Sequence, residues 1–123
     1  MPKVNTKLKN AQAMVSMYSE ILEELDSDEL ANFKEEMDVI NDDRHQSYVQ
    51  HSIGDIVVIA FLAVLAASDE WTHIEVFAKK KETWLKEFLT LRNGIPSHDT
   101  IQAVMSMLPP SFLFSILIRF IMI

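Results

Sequence analysis

No cysteine occurs in this chain, which excludes a disulfide framework and any thiolate metal or redox site. Glycine occurs twice and proline four times, which suits helices joined by short turns. There is no Gly-rich phosphate loop, no nucleophile motif and no spaced ligand cluster. An enzyme in its own right is therefore not expected, and neither is a bound metal or cofactor. The N-terminus lacks a basic-then-apolar leader, so a cytoplasmic protein is the default. What the chain does have is apolar content, 49% of 123 residues. That is enough for one domain with one hydrophobic core.

Charge is unevenly placed. The net is −7. Residues 1–44 hold five Lys/Arg against eleven Asp/Glu, a net of −6, and residues 45–123 hold six against seven, a net of −1. An acidic chain is a poor generic nucleic-acid binder, because neutralisation of phosphates by Lys and Arg supplies most non-specific affinity. Any DNA contact has to come from a local basic patch.

The chain is organised around Ile53 to Ala67. After Asp55 this stretch is apolar for twelve residues without Gly or Pro. As a helix it measures roughly 22 Å. Spanning lipid takes about 20 apolar residues, so a buried central helix is expected rather than a membrane span. Ile56-Val57-Val58-Ile59 is β-branched, but the run is too long for a typical strand and its alanines favour helix.

Residues 5–25 predict an amphipathic helix, with Leu8, Ala11, Val15, Tyr18, Leu22 and Leu25 alternating three and four apart. Lys7 and Lys9 at its start and Glu20, Glu23 and Glu24 at its end both oppose the helix dipole. The helix therefore depends on packing, either within its own domain or in a homo-oligomer formed through it. Asp26-Ser27-Asp28 caps a second helix over about Asp28 to Ile40. The carboxylates on its outer face have no interleaved His, so a solvated face is expected. His45 and His51 lie in a polar connection, without i, i+4 partners, and read as surface or packing groups.

Beyond the central helix, Thr72 and Glu75 match a capping box that would start a helix near His73. Ile74, Phe77, Ala78, Trp84, Leu85 and Phe88 give it an apolar face that runs to about Leu89, with Lys81 as the exception. Lys79, Lys80, Lys81 and Lys86, with Arg92 just beyond, form the one basic cluster. They are candidates for phosphate contact, or simply a solvated face. Trp71 and Trp84 are expected at the core or its edge rather than as base-stacking groups. Asn93-Gly94 ends the helix with a left-handed glycine. Ser97 then caps a helix over His98 to Leu108, with Asp99 in its first turn. A structural cap is favoured over a His98–Asp99 dyad. Pro109-Pro110 stops that helix, and the tail SFLFSILIRFIMI carries one charge, Arg119. The tail exposes apolar surface as written. A chain ending on Ile121-Met122-Ile123 looks cut off within an element, so a fragment is expected.

Several ordered motifs resemble one family. Ile40-Asn41-Asp42-Asp43-Arg44 is similar to an I-x-D-P-R segment, with Asp43 where Pro is usual. His51, Ile53, Asp55 and Ile56 follow. Ala63 to Trp71 resembles A-V-L-x-G-A-x-x-W, with Ala67 in place of Gly. Ile74, Phe77, Lys81, Trp84 and Leu85 fit I-x-x-F-x-x-x-K-x-x-W-L. Gly94, Ile95, Pro96, Ser97, His98, Asp99 and Thr100, preceded by Asn93, match an N-G-I-P-S-H-D-T signature. These are motifs of the N-terminal, transposase-associated domain of the H-repeat-associated bacterial insertion-sequence transposases. The resemblance leaves out roughly the first 28 residues, and the tail after Pro110 fits it poorly.

Members of that family look like DDE transposases, whose metal-binding acidic triad belongs to an RNase H-like domain that follows this region. The resemblance implies transposase ancestry and assigns none of the triad to an Asp or Glu here. It divides the chain into an N-terminal extension, residues 1–28, and a truncated associated domain, residues 29–123. The fold expected is all-α, five to six helices around the helix at 53–67. The function expected is recognition of transposon-end DNA, through Lys79, Lys80, Lys81, Lys86 and Arg92, or assembly of the transposition complex, without catalysis. The alternative is a stand-alone interaction or oligomerisation module.

Overall fold

A computed structural model of the chain describes Leu22, residues 24–38 and residues 51–122. The described part is all-α, with six helices and no strand. They are α1 (Ser27–Asp38), α2 (Ile53–Leu65), α3 (Trp71–Lys80), α4 (Glu82–Leu85), α5 (His98–Met107) and α6 (Pro110–Ile121). The expected amphipathic helix at 5–25 lies largely outside the described residues, as does the Ile40–Arg44 motif. Leu22, from the end of that stretch, is buried in the core. No single described helix is long and apolar enough to cross a membrane.

The central helix is where its composition placed it. From Ile53 to Ala63 every side chain of α2 is buried except Phe61, which is half-buried. Burying one Val, Leu or Ile side chain contributes about 1.5–3 kcal/mol, so α2 dominates the core. Ser52 begins the helix, its hydroxyl accepting the N–H of Asp55 at 3.1 Å. The other end closes as a Schellman motif, with the N–H of Ser68 donating to the carbonyl of Ala63 and that of Ala67 to the carbonyl of Val64, both at 2.9 Å. Ala67 holds φ 68°, the left-handed conformation that favours glycine. It is the position where the resembled motif carries Gly.

α1 buries Leu30, Phe33 and Met37 on α2. Gly54 makes the close approach: a Cβ there would collide with the carbonyl oxygen of Lys34 and with the Asp38 carboxylate. The Asp26 carboxylate caps α1 by accepting the N–H of Asp28 at 2.9 Å.

Three local expectations are corrected. α3 starts at Trp71, with Glu70 at the cap and no capping side chain. Thr72 and Glu75 therefore do not form a capping box, because the Glu75 carboxylate is used elsewhere. The long apolar-faced helix is also broken into α3 and α4 at Lys81 (φ −105°, ψ 16°). Lys81 is the charged residue on an otherwise apolar face, and it stands half-buried at the break. Gly94 is left-handed (φ 76°) as expected, but it closes a turn on Leu91, 3.1 Å from N–H to carbonyl, rather than a helix.

α5 begins after Ser97, whose hydroxyl accepts the N–H of Thr100 at 3.2 Å. Pro110 ends nothing further; it starts α6 in the first helical position, where a missing N–H is harmless. The axes of α5 and α6 differ by 106°. Ile116 is the buried contact of α6, and Arg119 pairs with Glu36 of α1.

Candidate interaction surfaces

The signature turn is held from two sides. Asp55, the one acidic residue in α2, is 2% exposed. Its Oδ2 accepts the N–H of Leu91 at 3.1 Å and its Oδ1 the N–H of Thr90 at 3.3 Å. Lys34 reaches the same corner: its Nζ lies 2.7 Å from Asp38 Oδ2, donates to Thr90 Oγ1 at 2.9 Å, and stands 3.9 Å from Asp55 Oδ1. Asp38 in turn accepts the N–H of Gly54 at 2.7 Å. The buried carboxylate is thus paired and hydrogen-bonded, as burial of charge requires.

From the other side, Glu75 of α3 reaches the amino end of α5. Its Oε1 accepts the N–H of His98 at 2.6 Å and lies 2.8 Å from His98 Nδ1, while Lys79 Nζ sits 2.6 Å from its Oε2. The Lys79 ammonium, then the backbone N–H and the ring of His98, lower the Glu75 pKa from 4.5 to about 2. A carboxylate at a helix N-terminus also complements the helix dipole. His98 Nε2 lies 3.4 Å from the exposed Asp99, but the inward nitrogen of His98 belongs to Glu75.

The other signature residues of this turn pack on the core or hydrogen-bond within it. Pro96 is fully buried, Ile95 packs on the core, and the Ser97 hydroxyl donates to Thr100 Oγ1 at 3.1 Å. Trp84 is buried with its ring edge-on to Phe88, centroids 5.2 Å apart, and Trp71 is half-buried. From the sequence Asp55 and Lys34 carry no role, and Glu75 reads as the capping-box partner of Thr72 rather than as a contact of α5. A lone acid inside an apolar helix was the available signal for Asp55.

The basic cluster lies on α3, α4 and the following turn, but it is not a free positive face. Lys79 is paired with Glu75, and Lys86 with Glu82 at 3.0 Å. Lys80 and Arg92 are exposed, and Lys81 is half-buried. Between residues 69 and 92 there are five Lys/Arg and five Asp/Glu, so the net is zero. Among the described residues no group of three or more His, Cys, Asp or Glu is placed to hold a metal.

Two apolar surfaces remain. On α6 and the turn that ends it, Phe114, Ile118 and Met122 recur every four residues and are 64%, 48% and 79% exposed. Between α2, α3 and α5 a groove of about 440 Å³ is lined by Ala60, Phe61, Val64, Trp71, Ile74 and Met105 with the Ser68–Glu70 connection.

Residues 34–121 match the DDE_Tnp_1-associated family, and this chain belongs to it: it is a transposase-associated domain. It is 44% identical over 68 residues to the putative transposase YncI of Escherichia coli O157:H7, covering 55% of this chain and 17% of that one. It is 35% identical over 83 residues to the H repeat-associated putative transposase YhhI of E. coli K12, covering 68% and 22%. It is 35% identical over 78 residues to the inactive transposase YbfQ of the same strain, covering 63% of this chain and 93% of YbfQ. The chain spans a third or less of the length of the putative transposases it matches. No solved structure matches it. The matched region is the associated domain and not the catalytic DDE domain.

Proposed function

We propose that this domain, residues 29–123 with residues 1–28 as an extension, serves DNA transposition as a non-catalytic assembly module. Its α6 face binds another part of a transposase. The observation that carries this is the stripe Phe114, Ile118 and Met122, three large apolar side chains in line and open to solvent. A helix face of that kind is a docking surface for another polypeptide. Lys80 and Arg92, exposed and without carboxylate partners among the described residues, favour a second reading, contact with transposon-end DNA alongside Lys79, Lys81 and Lys86.

Calorimetric titration of this chain with the region that follows the associated domain in a longer relative tests the first proposal. Binding is expected, with a loss of tenfold or more in Phe114→Asp and Ile118→Asp and no loss in Lys80→Ala. Binding indifferent to both α6 changes, or no binding, overturns it. For the DNA reading, log affinity should fall with log salt by about 0.9 per phosphate contact. A flat salt dependence rejects it.

A further inference from the structure

The groove between α2, α3 and α5 is separate from the α6 stripe. Its floor is Phe61, Val64, Ile74 and Met105, and its wall is the half-buried ring of Trp71. The charged side chains on its rim, Asp69 and Glu70, are both acidic and 81% and 66% exposed. His73 lies behind them, 2.9 Å from Asp69 and 3.5 Å from Glu70. Among the described residues no Lys or Arg lines the groove. An apolar trough with an acidic lip selects an amphipathic segment that carries cations beside its apolar residues.

The chain encodes one such segment. Its first 19 residues contain Lys3, Lys7 and Lys9, and no Asp or Glu precedes Glu20. Val4, Leu8, Ala11 and Val15 recur three and four apart beside those lysines, the pattern of an amphipathic helix. These 19 residues carry three lysines and no carboxylate side chain, whereas the chain as a whole carries a net of −7.

We infer that the groove takes the basic segment Lys3–Ser19 of a second copy of this chain. Two copies that exchange these segments fill both grooves about one two-fold axis, which closes the assembly as a dimer. The lysines meet Asp69 and Glu70, and the apolar side chains enter the trough beside Trp71. This interface involves no α6 contact and does not depend on the transposase docking proposed above.

Sedimentation equilibrium of the full chain tests it, using two charge-reversed variants. One carries Lys3→Glu, Lys7→Glu and Lys9→Glu; the other carries Asp69→Lys and Glu70→Lys. The altered groove residues are exposed, and far-UV circular dichroism and melting midpoints verify that both variants fold. The wild-type chain is expected to dimerise with concentration, and each variant to dimerise at least tenfold more weakly. An equimolar mixture of the two should recover the wild-type affinity, because each reversed segment then meets a reversed groove. A monomeric wild type overturns the inference, as does a dimer indifferent to both reversals. A mixture no tighter than either variant alone overturns it too, as does a dimer broken only by Phe114→Asp.

Discussion

Asp55 and Leu91 are joined by a buried hydrogen bond, Leu91 N–H to Asp55 Oδ2 at 3.1 Å, and Leu91 holds φ 43°. A residue with a branched side chain adopts that left-handed conformation only when its surroundings enforce it. The carboxylate in the middle of the core is what enforces it here. It connects the central helix to the turn that leads into the signature.

Asp55→Ala should therefore destabilise the fold although it removes a charge from the core. It leaves the N–H groups of Thr90 and Leu91 without their acceptor, and a buried unsatisfied donor costs about 1–3 kcal/mol. A fall of this order in urea-unfolding free energy is expected. An unchanged midpoint would mean that the turn is held by other contacts.

Gly54→Ala should be harmful for a steric reason. The added methyl would meet the backbone carbonyl of Lys34 and the Asp38 carboxylate, so α1 would have to move away from α2. Overpacking of this kind costs about 1–3 kcal/mol. The melting temperature should fall, and a melt equal to the wild type would contradict the close approach.

Ala67→Gly should stabilise. Ala67 sits at φ 68° at the end of α2, where a Cβ is strained and glycine is not. A gain of about 0.5–1 kcal/mol is expected from chemical denaturation. A loss would show that the end of α2 tolerates the alanine without strain.

How much was legible in advance follows from the same residues. Helix α2 could be read from its unbroken apolar run, and the Ser97 cap from residue type and position, because both are local. That Ala67 stands where the resembled motif carries Gly could be read, but the left-handed turn there is seen only in the structure. The partners of Asp55 and Glu75 could not be read, since Thr90, Leu91 and His98 lie 35, 36 and 23 residues away. Local spacing even misdirected Glu75: it fits a capping box with Thr72, but the amino end of α5 offers it an N–H, an imidazole and a favourable dipole. The Lys81 break was visible only as an exception to the apolar face. The basic cluster looked stronger as a list of lysines than it is in space, where Glu75 and Glu82 pair with Lys79 and Lys86.

Glu75 also gives the fold a pH dependence of known sign. Its folded pKa is lowered to about 2 from the usual 4.5. Its contribution is therefore complete above pH 4.5 and is lost as pH falls towards about 2. Thermal melts of the wild type and Glu75→Gln should differ at neutral pH and converge near pH 2. A carboxyl titration by NMR that places Glu75 in the ordinary range would refute the staple.

The most direct test of the assembly role is hydroxyl-radical footprinting of this chain, alone and mixed with the following region of a longer relative. Phe114 and Met122, open to solvent in the isolated domain, should lose their reactivity in the mixture, while buried Trp84 stays unchanged. Undiminished labelling of Phe114 and Met122 under conditions where the two polypeptides are bound would contradict α6 as the docking face.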